Sequence, residues 1–319
     1  MGMLVDGRWT NDDKALTDDK GRLQRPDSAF RHWVTADGSP GPTGDGGFKA
    51  EPGRYHLYIA RACPWAHRAA IFRELKGLQE LIGLSVTHWL MADDGWTFQP
   101  GPGVVSDPLF GVDTLWQLYV RSDPTYTGRV TVPVLWDKAQ GRIVSNESAD
   151  ILRMFNSAFD HVGARKGDYS PTGLREEIDA VNARVYDGLN NGVYKAGFAK
   201  SQAAYDEAVA KVFETLDWLE GRLSTTQWLC GDRLTEADWR LFTTLLRFDA
   251  VYHGHFKCNL RRLVDYPALW AYTRRLYPHP AVAPTVDFDH IKRHYYQSHR
   301  HINPTGIVPQ GPILSFASD

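Results

Sequence analysis

The stretch from Tyr55 to Leu90 restricts the fold more than any other part of the chain. Tyr55, Leu57 and Ile59 alternate onto one face, which reads as a strand over 55–59. A helix is expected over 65–76, with Ala66, Ala69, Ala70, Phe72 and Leu75 as its apolar positions and Gly77 as its stop. A second strand is expected over 84–90. Strand, helix and strand in that order imply a parallel pair joined by a right-handed crossover. Strands over 131–136 and 142–145, with a turn near Lys138–Arg142, then imply an antiparallel hairpin, and a helix over 147–158 closes the segment. The long connection over 91–128 reads as a loop, and long loops in compact domains are often functional.

The turn between the first strand and its helix holds Arg61-Ala62-Cys63-Pro64-Trp65-Ala66-His67-Arg68. Pro64 suits the first helical position, where its missing N–H is no loss. Cys63 is then aimed at the free N–H groups and positive end of a helix, with Arg61, His67 and Arg68 adding positive charge nearby. These influences are expected to lower the thiol pKa from its free value of about 8.5 and so raise the thiolate fraction. A free cysteine is otherwise often buried and inert. Cys-Pro at a helix start, flanked by bases, favours the reactive reading. Position 66 is Ala, so no second cysteine completes a Cys-x-x-Cys pair, and the thiol needs an outside partner.

The chain has 319 residues, enough for two domains. Hydrophobic residues at 43% and charged residues at 23% mark it as globular rather than disordered. A net charge of −2 points to neither a nucleic-acid nor a membrane surface. Three cysteines, Cys63, Cys230 and Cys258, are too few and odd in number for a disulfide framework, which favours a reducing, cytoplasmic compartment. No signal core stands at the N-terminus, and no run of 18 apolar residues suggests a membrane span. Residues 1–50 read as an irregular extension, 51–158 as the βαβ-ββα domain, 159–171 as a linker, 172–300 as an all-helical domain and 301–319 as an irregular tail. The helical half is read from apolar positions at helical spacing between Tyr205 and Leu219, a capping box at Thr235–Asp238, and helices over 266–277 and 287–297. The fold class is therefore α/β plus all-α, a thioredoxin-like domain followed by a helical one.

A thioredoxin-like half carrying Cys63-Pro64-Trp65-Ala66, followed by a helical half, resembles a glutathione transferase. Three segments narrow the resemblance to the glutathionyl-hydroquinone reductases, the Xi class. They are Arg61–Arg68, the run Asn190-Asn191-Gly192-Val193-Tyr194-Lys195-Ala196-Gly197-Phe198-Ala199, and the run His301-Ile302-Asn303-Pro304-Thr305-Gly306-Ile307-Val308-Pro309. The resemblance implies glutathione-dependent reduction of glutathionyl-hydroquinones, with glutathione as co-substrate and a homodimer as the assembly. The residues agree with a glutathione site. An X-Pro bond at Val132–Pro133 is able to be cis, leaving the Val132 backbone groups for an added strand-like ligand, although an ordinary strand-edge proline reads the same way. Ser148 and its neighbouring N–H groups are placed to hold a carboxylate and Glu147 to accept an ammonium, alongside simple N-capping. The resemblance adds Trp96 and Arg129 as glutathione contacts, with Arg129 on a carboxylate. It also implies that Tyr194, Tyr252 and Tyr295 line the acceptor pocket, where phenol hydroxyls help protonate a leaving group. Whether Tyr295 or Tyr296 points inward stays open, and core packing is the alternative for each tyrosine.

His290 and His294 stand one helical turn apart, and His253, His255 and Cys258 share a loop. Neither set has the spacing of a zinc site, so no metal is expected. Two other functions remain open on these residues: a glutaredoxin-like thiol transferase or dehydroascorbate reductase, and a transferase-like interaction module without activity.

Overall fold

The computed structural model of the chain describes residues 2–11 and 16–316. Met1 and residues 12–15 of the expected extension, and 317–319 of the expected tail, lie outside the described residues. The chain gathers into two compact units. The first comprises Met1–Lys14, Asp27–Asp168 and Thr285–His294. The second comprises Ala15–Pro26, Tyr169–Pro284 and Tyr295–Asp319.

The first unit opens on a hairpin, β1 (Met3–Val5) and β2 (Arg8–Thr10), inside the stretch expected to be irregular. Its turn residues Asp6 (φ 47°) and Gly7 (φ 72°) both lie in the left-handed region, as the tight hairpin turn requires. The main sheet holds β3 (Tyr55–Ile59), β4 (Ile82–Val86), β5 (Val134–Asp137) and β6 (Arg142–Ser145) in the order β4-β3-β5-β6. The β3–β4 pair is parallel, and β3–β5 and β5–β6 are antiparallel. This is the expected thioredoxin-like arrangement, with β3 buried along its whole length. Helix α1 (Pro64–Leu75) crosses from β3 to β4 and packs against α3 (Ser148–Ser157).

Three expectations need correction. The strand placed at 84–90 is β4, at 82–86, because its partner β3 ends at Ile59, which pairs with Val86. The strand placed at 131–136 begins only at Val134, since Pro133 has no N–H for the ladder. The loop at 91–128 contains a helix, α2 (Trp116–Ser122), which buries Leu118 and Tyr119. Residues 30–32 also bond along the end of β6, with His32 N–H donating to the Val144 carbonyl at 3.0 Å and Asn146 N–H to that of Phe30 at 3.1 Å.

The second unit is helical. It contains α4 (Arg175–Val185), α5 (Gly192–Gly197), α6 (Gln202–Leu223), α7 (Glu236–Arg247), α8 (Pro267–Leu276) and the C-terminal end of α9 (Phe288–Ser298). Helix α6 packs on α5 and α8, and α4 on α7. Leu216, Leu219, Trp239, Leu241 and Leu245 are buried in its core, each burial contributing roughly 1.5–3 kcal/mol. The capping box at α7 forms as expected: Asp238 accepts the Thr235 N–H at 2.8 Å. Two π-helical turns, Tyr186–Asn190 and Phe248–Tyr252, continue α4 and α7. At the first, a Cβ on Gly188 would lie 2.0 Å from Thr215 Oγ1, so only glycine fits against α6 there.

Candidate active site

Cys63 is the N-cap of α1 with extended backbone, and Pro64 is the first helical residue. Its sulfur accepts the Ala66 N–H at 3.5 Å, so the thiol is the group that meets the orphan donors of the helix start. The thiol also donates to the Val132 carbonyl at 3.6 Å. That brings together two residues far apart in sequence, both expected at the site. The Val132–Pro133 bond is cis, and no protein group among the described residues bonds the Val132 N–H. Cys63 is half-buried, whereas Cys230 and Cys258 are buried. Burial pushes the Cys230 thiol up to about 11 and the Cys258 thiol up to about 12, as desolvation disfavours a thiolate. Of the bases beside Cys63, Arg68 is buried with its guanidinium 4.6 Å from the Trp65 ring centroid. His67 is also buried, with Nε2 2.9 Å from Thr285 Oγ1.

Glu147 caps α3: one carboxylate oxygen accepts the Ala149 N–H and the other the Ser28 hydroxyl, both at 2.9 Å. Ser148 follows as the first helical residue, and its N–H has no protein acceptor among the described residues. A carboxylate offers about four lone-pair sites, so capping leaves Glu147 able to take a further donor. Trp96 is buried with its ring stacked on His294, the centroids 4.8 Å apart. Arg129 donates to the Gly2 carbonyl at 3.3 Å.

In the second unit Tyr194, Tyr252 and Tyr295 converge. The Tyr295 hydroxyl lies 2.5 Å from that of Tyr194 and 3.2 Å from that of Tyr252. All three rings are buried, while Tyr296 is only half-buried, so the inward member of that pair is Tyr295. Burial and the neighbouring phenols push Tyr295 well above the ordinary tyrosine value of 10.0, with Arg247 opposing them. Tyr295 therefore stays neutral, its hydroxyl protonated, throughout the physiological range.

His290 and His294 each donate one ring N–H to a backbone carbonyl, that of Pro102 at 2.6 Å and that of Trp89 at 2.8 Å. His255 Nε2 lies 3.2 Å from His299 Nδ1, and the Cys258 thiol donates to the Phe256 carbonyl at 3.9 Å. Among the described residues no three His, Cys, Asp or Glu side chains gather as metal ligands.

Comparison with known proteins matches residues 62–158 to the family described as "Glutathione S-transferase, N-terminal domain" and residues 202–275 to "Glutathione S-transferase, C-terminal domain". The glutathionyl-hydroquinone reductase PcpF of Sphingobium chlorophenolicum is 55% identical over 98% of this chain and 96% of its own length. The glutathionyl-hydroquinone reductase YqjG of Escherichia coli is 57% identical over 98% and 95%. The chain belongs to the Xi-class glutathionyl-hydroquinone reductases. The glutathione-bound structure of YqjG superposes on this family member with a TM-score of 0.93, at 54% identity over 99% of this chain and 97% of that one. The Xi glutathione transferase of Phanerochaete chrysosporium gives a TM-score of 0.89 at 50% identity, over 93% and 95%.

Several features of this glutathionyl-hydroquinone reductase escape sequence reasoning. One π-helical turn ends two residues before Gly192, at the start of α5, and the other ends on Tyr252. Such turns gather at functional sites, yet one inserted residue barely disturbs an apolar period. Arg25 places its guanidinium 5.1 Å from the Tyr194 ring centroid and donates to Asn191 Oδ1 at 2.8 Å. Its only sequence signal is an arginine in a featureless stretch.

Proposed function

We propose that this chain reduces glutathionyl-hydroquinones to hydroquinones, consuming one glutathione and forming oxidised glutathione. The observation that carries the reading is Cys63 itself: a helix-capping, half-buried thiol with Ala66 where a second cysteine would stand. The Cys63 thiolate attacks the sulfur of the adduct. A Cys63–glutathione disulfide forms as the carbon–sulfur bond breaks, and its electron pair passes to the ring, which takes a proton. Tyr194 and Tyr295 supply that proton, and Tyr252 orients Tyr295 and contacts the ring. A second glutathione thiolate then attacks the glutathionyl sulfur of the mixed disulfide. Oxidised glutathione leaves and the Cys63 thiolate is restored.

Glutathione is held by backbone and side chains of the first unit. Val132 N–H and C=O pair with its cysteinyl part like an added strand. Ser148 and the N–H groups at the start of α3 bind the γ-glutamyl carboxylate, and Glu147 accepts the ammonium. Trp96 and Arg129 complete the contacts, Arg129 on a carboxylate. The expected division into a glutathione-binding domain over 51–158 and an acceptor domain over 172–300 serves this reading. The chain works as a homodimer in the cytoplasm; three cysteines without a disulfide suit a reducing compartment, and no described helix is long and apolar enough to cross a membrane.

Mass spectrometry after exposure to a glutathionyl-hydroquinone is expected to find one added glutathione on Cys63. Full reductase activity in Cys63→Ala would overturn the mechanism. Faster turnover on small mixed disulfides than on aromatic adducts would favour the thiol-transferase alternative.

A further inference from the structure

The two histidines with metal-like spacing acquire a different role in the fold. They lie one turn apart on α9, so their side chains share a face. Both donate to the segment that carries Trp96, on opposite sides of it: His294 Nδ1–H to the Trp89 carbonyl at 2.8 Å, and His290 Nε2–H to the Pro102 carbonyl at 2.6 Å. A carbonyl only accepts, so these two bonds fix which nitrogen of each ring carries a proton. The His294 ring also stacks on Trp96, with planes 22° apart, and the His290 ring meets Trp89 edge-on at 5.2 Å. Closure is tight enough that a Cβ on Gly103 (φ +73°) would lie 2.9 Å from His290 Nε2. The same segment is backed by Trp9, whose indole N–H donates to the Asp93 carbonyl at 2.7 Å. All of these residues belong to the first unit.

We infer that His290 and His294 are positioning residues, a two-point staple that sets the orientation of the Trp96 indole for glutathione; this rests on the reading of Trp96 as a glutathione contact. A side chain buried between a stacked imidazole and a pinned loop is held in one rotamer before ligand arrives. Binding then costs less ordering entropy. His294 supplies both the stack and one pin, so its removal has the larger effect.

The test is isothermal titration of glutathione into wild type, His294→Ala, His294→Phe, His290→Gln and Trp96→Phe, with steady-state kinetics on each. His294→Ala is expected to weaken glutathione about tenfold, the combined loss of a stacked pair and one hydrogen bond. Its kcat at saturating glutathione is expected to stay within twofold of wild type. His294→Phe keeps the stack and should recover part of the loss. A folded His294→Ala protein that binds glutathione within twofold of wild type would overturn the staple, as would kcat falling in step with affinity. If His294→Ala does not fold, His294→Phe and His290→Gln carry the test, each with an expected weakening of roughly threefold. No weakening in either would then sink the inference. The underlying reading fails separately: wild type would not bind glutathione, or Trp96→Phe would bind it as tightly as wild type.

Discussion

The thiol half and the tyrosine half of this protein are built by opposite means. In the first unit the groups that bond the Cys63 thiol are backbone, the N–H of Ala66 and the carbonyl of Val132, and the start of α3 at Ser148 likewise offers backbone groups. Each stands at the end of a strand or helix, so a few adjacent residues specify it. In the second unit the groups proposed to act are side-chain hydroxyls from three segments, Tyr194 on α5, Tyr252 at a π-helical turn and Tyr295 on α9. They meet only because helices pack. A site made of element ends tolerates change in its surroundings, whereas a site made of converging side chains depends on every helix that supports it.

The largest expected effect falls on the thiol. Cys63→Ser should lower turnover of aromatic adducts and of small mixed disulfides alike, by at least about a thousandfold, since nucleophilic attack is common to both. Substantial residual activity on either would separate the thiol from the chemistry. The same contrast divides the cysteines of the chain. At pH 8 iodoacetamide should modify Cys63 in the folded protein, while Cys230 and Cys258, held up to about 11 and about 12 by burial, react only after unfolding. Peptide mapping before and after denaturation reads this directly.

The tyrosine half should show a smaller and more selective loss. Tyr295→Phe removes the hydroxyl that bonds both Tyr194 and Tyr252. Turnover of glutathionyl-hydroquinones should fall about 10- to 100-fold, with small mixed disulfides, whose leaving thiolate needs no ring protonation, changed less than twofold. Equal losses on both substrates would remove the assigned division of labour. Because Tyr295 titrates well above 10.0, its proton is retained as pH rises. The ratio of wild-type to Tyr295→Phe activity should therefore stay level up to pH 10, and a fall in that ratio near pH 8 or 9 would contradict a buried neutral donor. The smallest effect is at Glu147. Glu147→Gln keeps a side-chain oxygen for the Ala149 N–H but loses the charge. Glutathione affinity should drop about fivefold, roughly the 1 kcal/mol separating a charge-assisted from a neutral hydrogen bond, and thermal stability should barely move. A large fall in Tm would make Glu147 a structural cap rather than a ligand contact.

What was legible follows the same division. Strand β3 and helix α1 lie where the alternation of Tyr55, Leu57 and Ile59 and the Cys63-Pro64 helix start put them, because both signals are local. Helix α2 has little local signal, since it is only one or two turns long and its N-cap, Leu115, makes no side-chain bond. The Asp6-Gly7 hairpin falls in the stretch read as irregular, because three-residue strands supply almost no alternation to reveal it. Only the resemblance places Arg129 on a ligand carboxylate, and its bond to the Gly2 carbonyl has no counterpart in any local pattern.

From sequence alone, Cys63 was already a thiol at a helix N-terminus that needs an outside partner. The same residues placed it after the first strand of a thioredoxin-like sheet. That much depends on residues within one turn of each other, whose backbone geometry follows from their own φ/ψ limits and capping chemistry. Which tyrosine of 295 and 296 faces inward was settled only by tertiary packing. So were the bonding of three phenols into one chain and the hydrogen bonds of His294 and His290 to the carbonyls of Trp89 and Pro102. These contacts join residues some forty to two hundred positions apart. No local preference encodes them, because the free energy that selects them comes from burying the side chains together.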